Sequence, residues 1–384
     1  MEKINTTIQI EPFIVMDIMR KAEEVKNLGN KIIHMEVGQP ITAAPKKVIE
    51  AAREALLTNN IGYTTALGTQ VLREKISEHY KNFYEISIPW EKVIITTGAS
   101  AGFILATLAC FNPKDNIVVT SPGYPCYRNI LTALGLNVVN LKTTEATKFQ
   151  PTSDLIERLD RKIDGIILTN PSNPTGTIIE EKELENLVNY CNKKGIQIIS
   201  DEIYQGISFG NKSVSALKFN KNIIVINSFS KYFSMTGWRL GWMVIPQYLE
   251  RQIELLAQNF YMSPPTLSQL AAVYAFDCHE ELEQNIKNYH ENRDALIEGL
   301  LRIGLRNFVV PEGAFYLYLN IEHFTNNSLQ FACDFLEAEG VAITPGIDFD
   351  KEDGHKYIRF SYTGTKEDII EGIEKLDRFI KKRK

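Results

Sequence analysis

A single lysine, Lys231, sits in the stretch NSFSKYFSMTGWRLGW, just beyond the apolar run NIIVI and among small polar residues. An amine placed off the end of a buried strand, with Ser228, Ser230 and Arg239 nearby, is arranged for nucleophilic or proton-transfer chemistry rather than for solubility. The hydroxyls and the planar guanidinium suit a phosphate, which arginine grips with two parallel hydrogen bonds. Upstream, TTGASAG places Gly98, Ala99, Ser100 and Ala101 between a strand and a helix. Backbone amides at such a turn form an anion site, although a tight strand–helix turn uses the same residues.

Three further segments carry residues that chemistry could use. Asp201 ends the apolar run IQIIS, where a carboxylate needs a partner. It is either a helix cap or the counter-ion of a cationic ring nitrogen, with Tyr204 nearby in DEIY. NPSNPTG has the composition of a tight turn, and Asn173 within it can also project an amide into a crevice. Tyr124, in PGYPCY, is either core packing or a platform for a flat ring.

The elements that would position these residues follow from periodicity. Short β-branched runs at 92–96, 116–120, 165–169, 196–200, 222–226 and 242–245 read as strands buried on both faces. Helical patterns cover 45–58, 68–85 and 99–110. Alternation of this kind predicts an α/β fold with a mostly parallel sheet layered by helices. Long helices at 247–260, 266–278 and 281–303 follow, then the strand-like GAFYLYLNI, a helix at 328–339, VAIT, KYIRFSY and a closing helix at 366–382. The division expected is a large domain over 45–280 and a smaller α+β domain built from 1–44 and 281–384. The unusual residues fall just after the strands, and ligands bind outside the carboxyl ends of strands in open α/β sheets. Five segments distant in sequence should therefore meet at one crevice.

Bulk properties narrow the class. A chain of 384 residues with 44% hydrophobic and 23% charged residues is globular and long enough for two domains. A net charge of −5 leaves no electrostatic footprint for nucleic acid or an anionic membrane. Five scattered cysteines point to reduced thiols and a cytoplasmic location, and the six histidines form no metal-binding spacing. No signal peptide or membrane span is expected. The chain also lacks G-x-x-x-x-G-K-[ST] and a strand-linked G-x-G-x-x-G, which argues against nucleotide folds.

Together these pieces resemble the class I and II aminotransferases, pyridoxal-phosphate enzymes of fold type I. SFSKYFSMTGWRLGW matches the family pattern S-x-x-K-x-x-x-x-x-G-x-R-x-G, with HMEVGQP, GYTTALGTQVLREKI, NPSNPTG, DEIY and YIRFSY in support. The resemblance implies pyridoxal 5′-phosphate held by Lys231 as a Schiff base, with Asp201 on the pyridine nitrogen. It gives the phenolic oxygen to Tyr204 and Asn173, and the ring face to Tyr124. Ser228, Ser230, Arg239 and the segment Ala99, Ser100, Ala101 would hold the phosphate. Tyr63 would reach the phosphate of a neighbouring subunit, making the active unit a homodimer. Arg359, otherwise a plain edge arginine, would bind the substrate α-carboxylate with Asn173 and the backbone of Gly38.

The reaction implied is ping-pong transfer from an L-amino acid to a 2-oxo acid, with 2-oxoglutarate the expected acceptor. The same cofactor constellation also serves lyases, such as cysteine-sulfur lyases and cyclopropane-forming synthases. A ligand-binding regulator is a further alternative, although no DNA-binding extension is expected ahead of this domain. The donor amino acid stays open: Arg128, or a residue of a second chain, is the cation to consider for an acidic side chain.

Overall fold

In the computed structural model, residues 10–58 and 60–383 are described. Two elements precede the main sheet: helix α1 (Ile14–Asn27) and the short strand β1 (Ile33–His34). Then come β2 (Val93–Thr96), β3 (Asn116–Ser121), β4 (Asn137–Lys142), β5 (Gly165–Thr169), β6 (Gln197–Asp201), β7 (Ile224–Ser228) and β8 (Gly241–Val244). These seven form one sheet in the order β2-β8-β7-β6-β5-β3-β4. The pairs β4–β3, β3–β5, β5–β6 and β6–β7 are parallel, whereas β8 runs antiparallel to both β7 and β2. Two reversals restore the direction of β2, so its carboxyl end lies with those of β3, β5, β6 and β7. The expected convergence survives the antiparallel strand.

Burial explains why the sheet was readable. β2, β5, β7 and β8 are buried at every position, as strands covered by helices on both faces must be. The helix Gly98–Cys110 carries almost no polar residues and packs on β7 and β8, with Gly102 letting it approach Ile226 and Met243. β4 was not among the expected strands. It is the edge strand, with three of its six residues exposed, so its sequence NVVNLK lacks the continuous apolar signature.

The rest of the chain forms β9 (Tyr316–Asn320), β10 (Val341–Ala342), β11 (Thr344–Pro345) and β12 (Tyr357–Ser361). β11, β12 and β9 make an antiparallel three-stranded sheet. β1 pairs in parallel with β10, which ties the early part of the chain to its late part. The expected helices appear at Lys46–Thr58, Gln70–Phe83, Glu250–Phe260, His279–Arg302, Ser328–Glu339 and Lys366–Lys381. The stretch 266–278 divides into the α-helix Thr266–Ala272 and a 3₁₀ segment, Val273–Asp277. No helix among the described residues is long and apolar enough to cross a membrane.

Ile226 is fully buried in β7, between the helix Gly98–Cys110 and the sheet. Ile226→Ala should cost about 2–5 kcal/mol, the usual penalty for an emptied core site. The check is the urea midpoint of the purified protein.

Candidate functional site

Thr169, Asp201 and Ile226 stand opposite one another in the register of β5, β6 and β7. The segments that follow these strands therefore leave the sheet at one level, beside one cleft. Lys231, Asp201, Tyr204, Asn173, Tyr124, Gly38 and Arg359 all line it. They come from six separate segments of the chain, and the sequence had assigned a role to each.

Asp201 is 1% exposed. Its Oδ1 accepts from the amide of Ile203 at 3.1 Å, and its Oδ2 accepts from the hydroxyl of Tyr127. Burial pushes its carboxyl up to about 6, and the Tyr127 and Ile203 hydrogen bonds work against that rise. Glu202, the next residue, serves the core instead. It accepts from Ser200 Oγ at 3.0 Å and from the Ala216 amide at 2.9 Å. One acid faces the cleft and its neighbour does not, as residues alternate at a strand end.

The amine of Lys231 donates to the carbonyl of Gly38 at 2.7 Å. Burial lowers its pKa to about 8, helped by the positive charges of Arg359 and Arg239, with Asp201 acting in the opposite sense. A lysine with a pKa near 8 is neutral for a useful fraction of the time at physiological pH, unlike a free one. Gly38 is needed here: a Cβ at this position would collide with the Tyr316 phenol. That phenol lies 2.8 Å from the hydroxyl of Tyr204.

Arg359 is 4% exposed and held from three directions. Nη1 donates to Asn173 Oδ1 at 2.8 Å, and Nη2 donates to the carbonyl of Glu36 and to Thr344 Oγ1. Its guanidinium carbon is 4.3 Å from the Tyr316 ring centre and 4.7 Å from that of Phe349. Nε is buried without a partner, a donor held in reserve in a fixed fork. Such an arrangement fits a carboxylate ligand.

The residues read as phosphate ligands form a second group beside the cleft. Gly98 has φ +71°, and a Cβ there would lie 2.7 Å from Arg239 Nη2. Gly241 brings β8 against the amide of Ala99. The exposed guanidinium of Arg239 thus meets the start of the helix Gly98–Cys110, where free amides and the helix dipole already favour an anion. Ser228 Oγ receives the Ser230 amide at 3.0 Å, which orders the turn leading to Lys231. Ala101 is buried and Ser100 exposed at the helix start. Together these residues bring hydroxyls, backbone amides and a guanidinium close to one another.

One other reading turns out differently. Arg128 does not line the cleft. It donates to the carbonyls of Asp348 at 2.8 Å and Phe349 at 3.0 Å, so it is not the distal cation considered for an acidic donor. Tyr63 is 83% exposed and does not line its own chain's cleft.

The sequence reading missed Tyr127, Tyr316 and the apolar lining from Phe13, Val15, Met16 and Val37. Tyr127 had a signal: it is three residues past Tyr124 at the start of the helix Pro125–Ala133, so both rings share a face. Tyr316 read as one more aromatic of a buried strand.

The family model "Aminotransferase class I and II" matches residues 30–376. Valine--pyruvate aminotransferase of Mycobacterium tuberculosis is 41% identical over 97% of both chains. The (5-formylfuran-3-yl)methyl phosphate transaminase of Methanocaldococcus jannaschii is 36% identical over 98% of both. Among solved structures, an aspartate aminotransferase from Thermus thermophilus superposes with a TM-score of 0.92 at 27% identity, covering 98% of this chain and all of its own.

Two substitutions probe this geometry. The Tyr127 hydroxyl stabilises the ionised form of Asp201, so Tyr127→Phe should move that carboxyl further above 6 and leave less of it ionised at pH 7. A carboxyl-carbon NMR titration of the cofactor-free protein reads the shift. Gly38→Ala should displace the Tyr316 phenol and lower kcat/KM by about ten-fold or more with the circular dichroism unchanged, because about 1 Å of misplacement is that costly.

Proposed function

The chain belongs to the class I and II aminotransferases, and on that premise we propose that it carries the amino group of an L-amino acid to a 2-oxo acid in a ping-pong reaction, with pyridoxal 5′-phosphate held at Lys231. Members of this fold use that cofactor, and the donor set suits it. An amine of lowered pKa answers an aldehyde, a buried carboxylate a pyridinium, and an arginine at a helix start a phosphate. The observation that carries the reading is the meeting of Lys231, Asp201 and Arg359 around one cleft.

When bound, the cofactor supplies an electrophilic carbon and a conjugated ring that accepts the electron pair left as the α-proton departs. The protein's own residues do the rest. Arg359, steadied by Asn173, fixes the α-carboxylate and so orients the α-hydrogen. Lys231 is placed to take that proton and hand it on, and its lowered pKa keeps the amine available. Asp201, ionised and held by Tyr127 and the Ile203 amide, keeps a ring nitrogen protonated. Tyr204 and Asn173 would bond the phenolic oxygen, and Tyr124 would cover the ring. Ser228, Ser230, Arg239 and the Ala99–Ala101 segment would hold the phosphate. In a homodimer, the partner subunit's Tyr63 would complete that phosphate site. The exposure of this ring on the single chain supports such a use.

2-Oxoglutarate is the acceptor expected from the resemblance. Among the described residues, however, Arg359 and Lys231 are the only cations lining the cleft, and both are already assigned. This favours a short monocarboxylic 2-oxo acid, as does the relative named for valine and pyruvate. The named relatives are aminotransferases, which favours transfer over the lyase alternative. We divide the chain into a cofactor domain, 45–280, and a smaller one from 1–44 and 281–384, a reading that the β1–β10 pairing supports. We place the protein in the cytoplasm, in keeping with its free thiols.

Lys231→Ala should lower kcat by about a thousand-fold, the scale of a lost general base and covalent anchor. Borohydride reduction of the loaded wild-type protein should fix the cofactor to the peptide containing residue 231, as peptide mass analysis would show. A cofactor-loaded wild type with no labelled peptide, or an active variant, would overturn the assignment.

A further inference from the structure

Helix α1 begins without a side-chain cap of its own. Phe13 occupies the cap position and offers only a ring, so the first-turn amides need an acceptor from elsewhere. It comes from far along the chain. Asp348 takes the Ile14 amide on Oδ1 at 3.0 Å and the Val15 amide on Oδ2 at 3.2 Å. The carboxylate is 1% exposed. It forms no ion pair among the described residues, so α1 itself supplies its hydrogen bonds.

The stretch that carries Asp348 is fixed by its surroundings. Its own carbonyl and that of Phe349 receive the Arg128 guanidinium. The Phe349 carbonyl also takes the Gly123 amide at 3.1 Å, next to Tyr124. The Phe349 ring lies beneath Arg359. One short stretch thus joins the α-carboxylate arginine, the Tyr124 loop and the first turn of α1. That first turn matters because Phe13, Val15 and Met16 line the cleft.

We propose that Asp348 sets donor specificity, by clamping the first turn of α1 so that Phe13, Val15 and Met16 form a fixed apolar wall for the side chain of the amino acid. The proposal rests on the transaminase reading and takes it further, to donors with uncharged aliphatic side chains, whose apolar surface the wall removes from water. Asp348 touches no substrate atom and acts as a positioning residue. The Asn173–Arg359 pair binds the carboxylate common to all donors, whereas α1 contacts the part that differs among them.

The test compares the wild-type holoenzyme with Asp348→Ala and Asp348→Asn, using valine and phenylalanine as donors. Asparagine keeps one accepting oxygen, alanine none. In Asp348→Ala, KM for valine should rise about ten-fold with kcat within about two-fold, the pattern of lost binding rather than lost chemistry. The valine-to-phenylalanine ratio of kcat/KM should fall, with Asp348→Asn between the two. Hydrogen exchange of the Ile14 and Val15 amides should accelerate in the same order, while exchange in β5–β7 stays unchanged. Faster exchange in α1 with an unmoved specificity ratio would overturn the proposal, as would unchanged exchange. Met16→Ala leaves the clamp in place and tests the wall even if Asp348→Ala fails to fold; it too must shift the ratio towards phenylalanine, and a constant ratio would overturn the proposal. A wild-type protein that transaminates no amino acid would remove the functional reading itself. One that does, with variant ratios unmoved, would remove the role of Asp348 alone.

Discussion

The site depends on keeping a carboxylate ionised where water is absent. Asp201 lies at the end of a strand in the middle of the sheet, and burial alone would neutralise it. Two hydrogen bonds oppose that, one from the Ile203 amide and one from the Tyr127 hydroxyl. The first comes with the turn after β6, and the second requires the helix Pro125–Ala133, which packs on β3 and β4, to extend Tyr127 to the ends of β5 and β6. A charge in a low-dielectric setting is worth more than one in solvent, but only when its surroundings are already organised. Strand register, helix placement and the Tyr127–Thr169 contact at 3.1 Å all serve that condition.

Lys231 and Arg359 follow the same logic with the opposite sign. Two positive groups in one cleft, with Arg239 beside it, would repel, and the lowered pKa of Lys231 is how the site accommodates them. Arg359 stays in place because Asn173, Thr344 and the Glu36 carbonyl take up its donors and two aromatic rings cover its faces. These supports come from segments more than three hundred residues apart. Pre-positioned groups of this kind need little rearrangement when a substrate arrives.

Most of this was legible in the sequence, for identifiable reasons. Buried parallel strands carry continuous apolar runs, so β2, β3, β5, β6 and β7 stood out and the residues after them could be assigned to one crevice. β4 escaped because an exposed edge needs polar residues. The antiparallel direction of β8 could not be seen, since strand direction depends on pairing partners rather than on composition. Tyr127 and Tyr316 were hidden by their type: a buried tyrosine looks the same whether its hydroxyl holds a carboxylate facing a cleft or merely finds a partner. The Asp348 contact to α1 spans more than three hundred residues, beyond any local pattern. The apolar lining was missed for a related reason, because Phe13, Val15 and Met16 read as ordinary residues near a chain end.

The Gly346–Phe349 stretch has a consequence for how the molecule is made. A growing chain emerges with its early residues first, so α1 appears long before the carboxylate that caps it and the arginine that its neighbour Phe349 covers. The sheet with Lys231 and Asp201 can form in between. Until residues 346–361 have left the ribosome, the nascent protein has Lys231 and Asp201 but neither Arg359 nor the carboxylate that holds the first turn of α1. The order of translation therefore leaves this side of the cleft to be assembled last, against a large sheet that has already been synthesised.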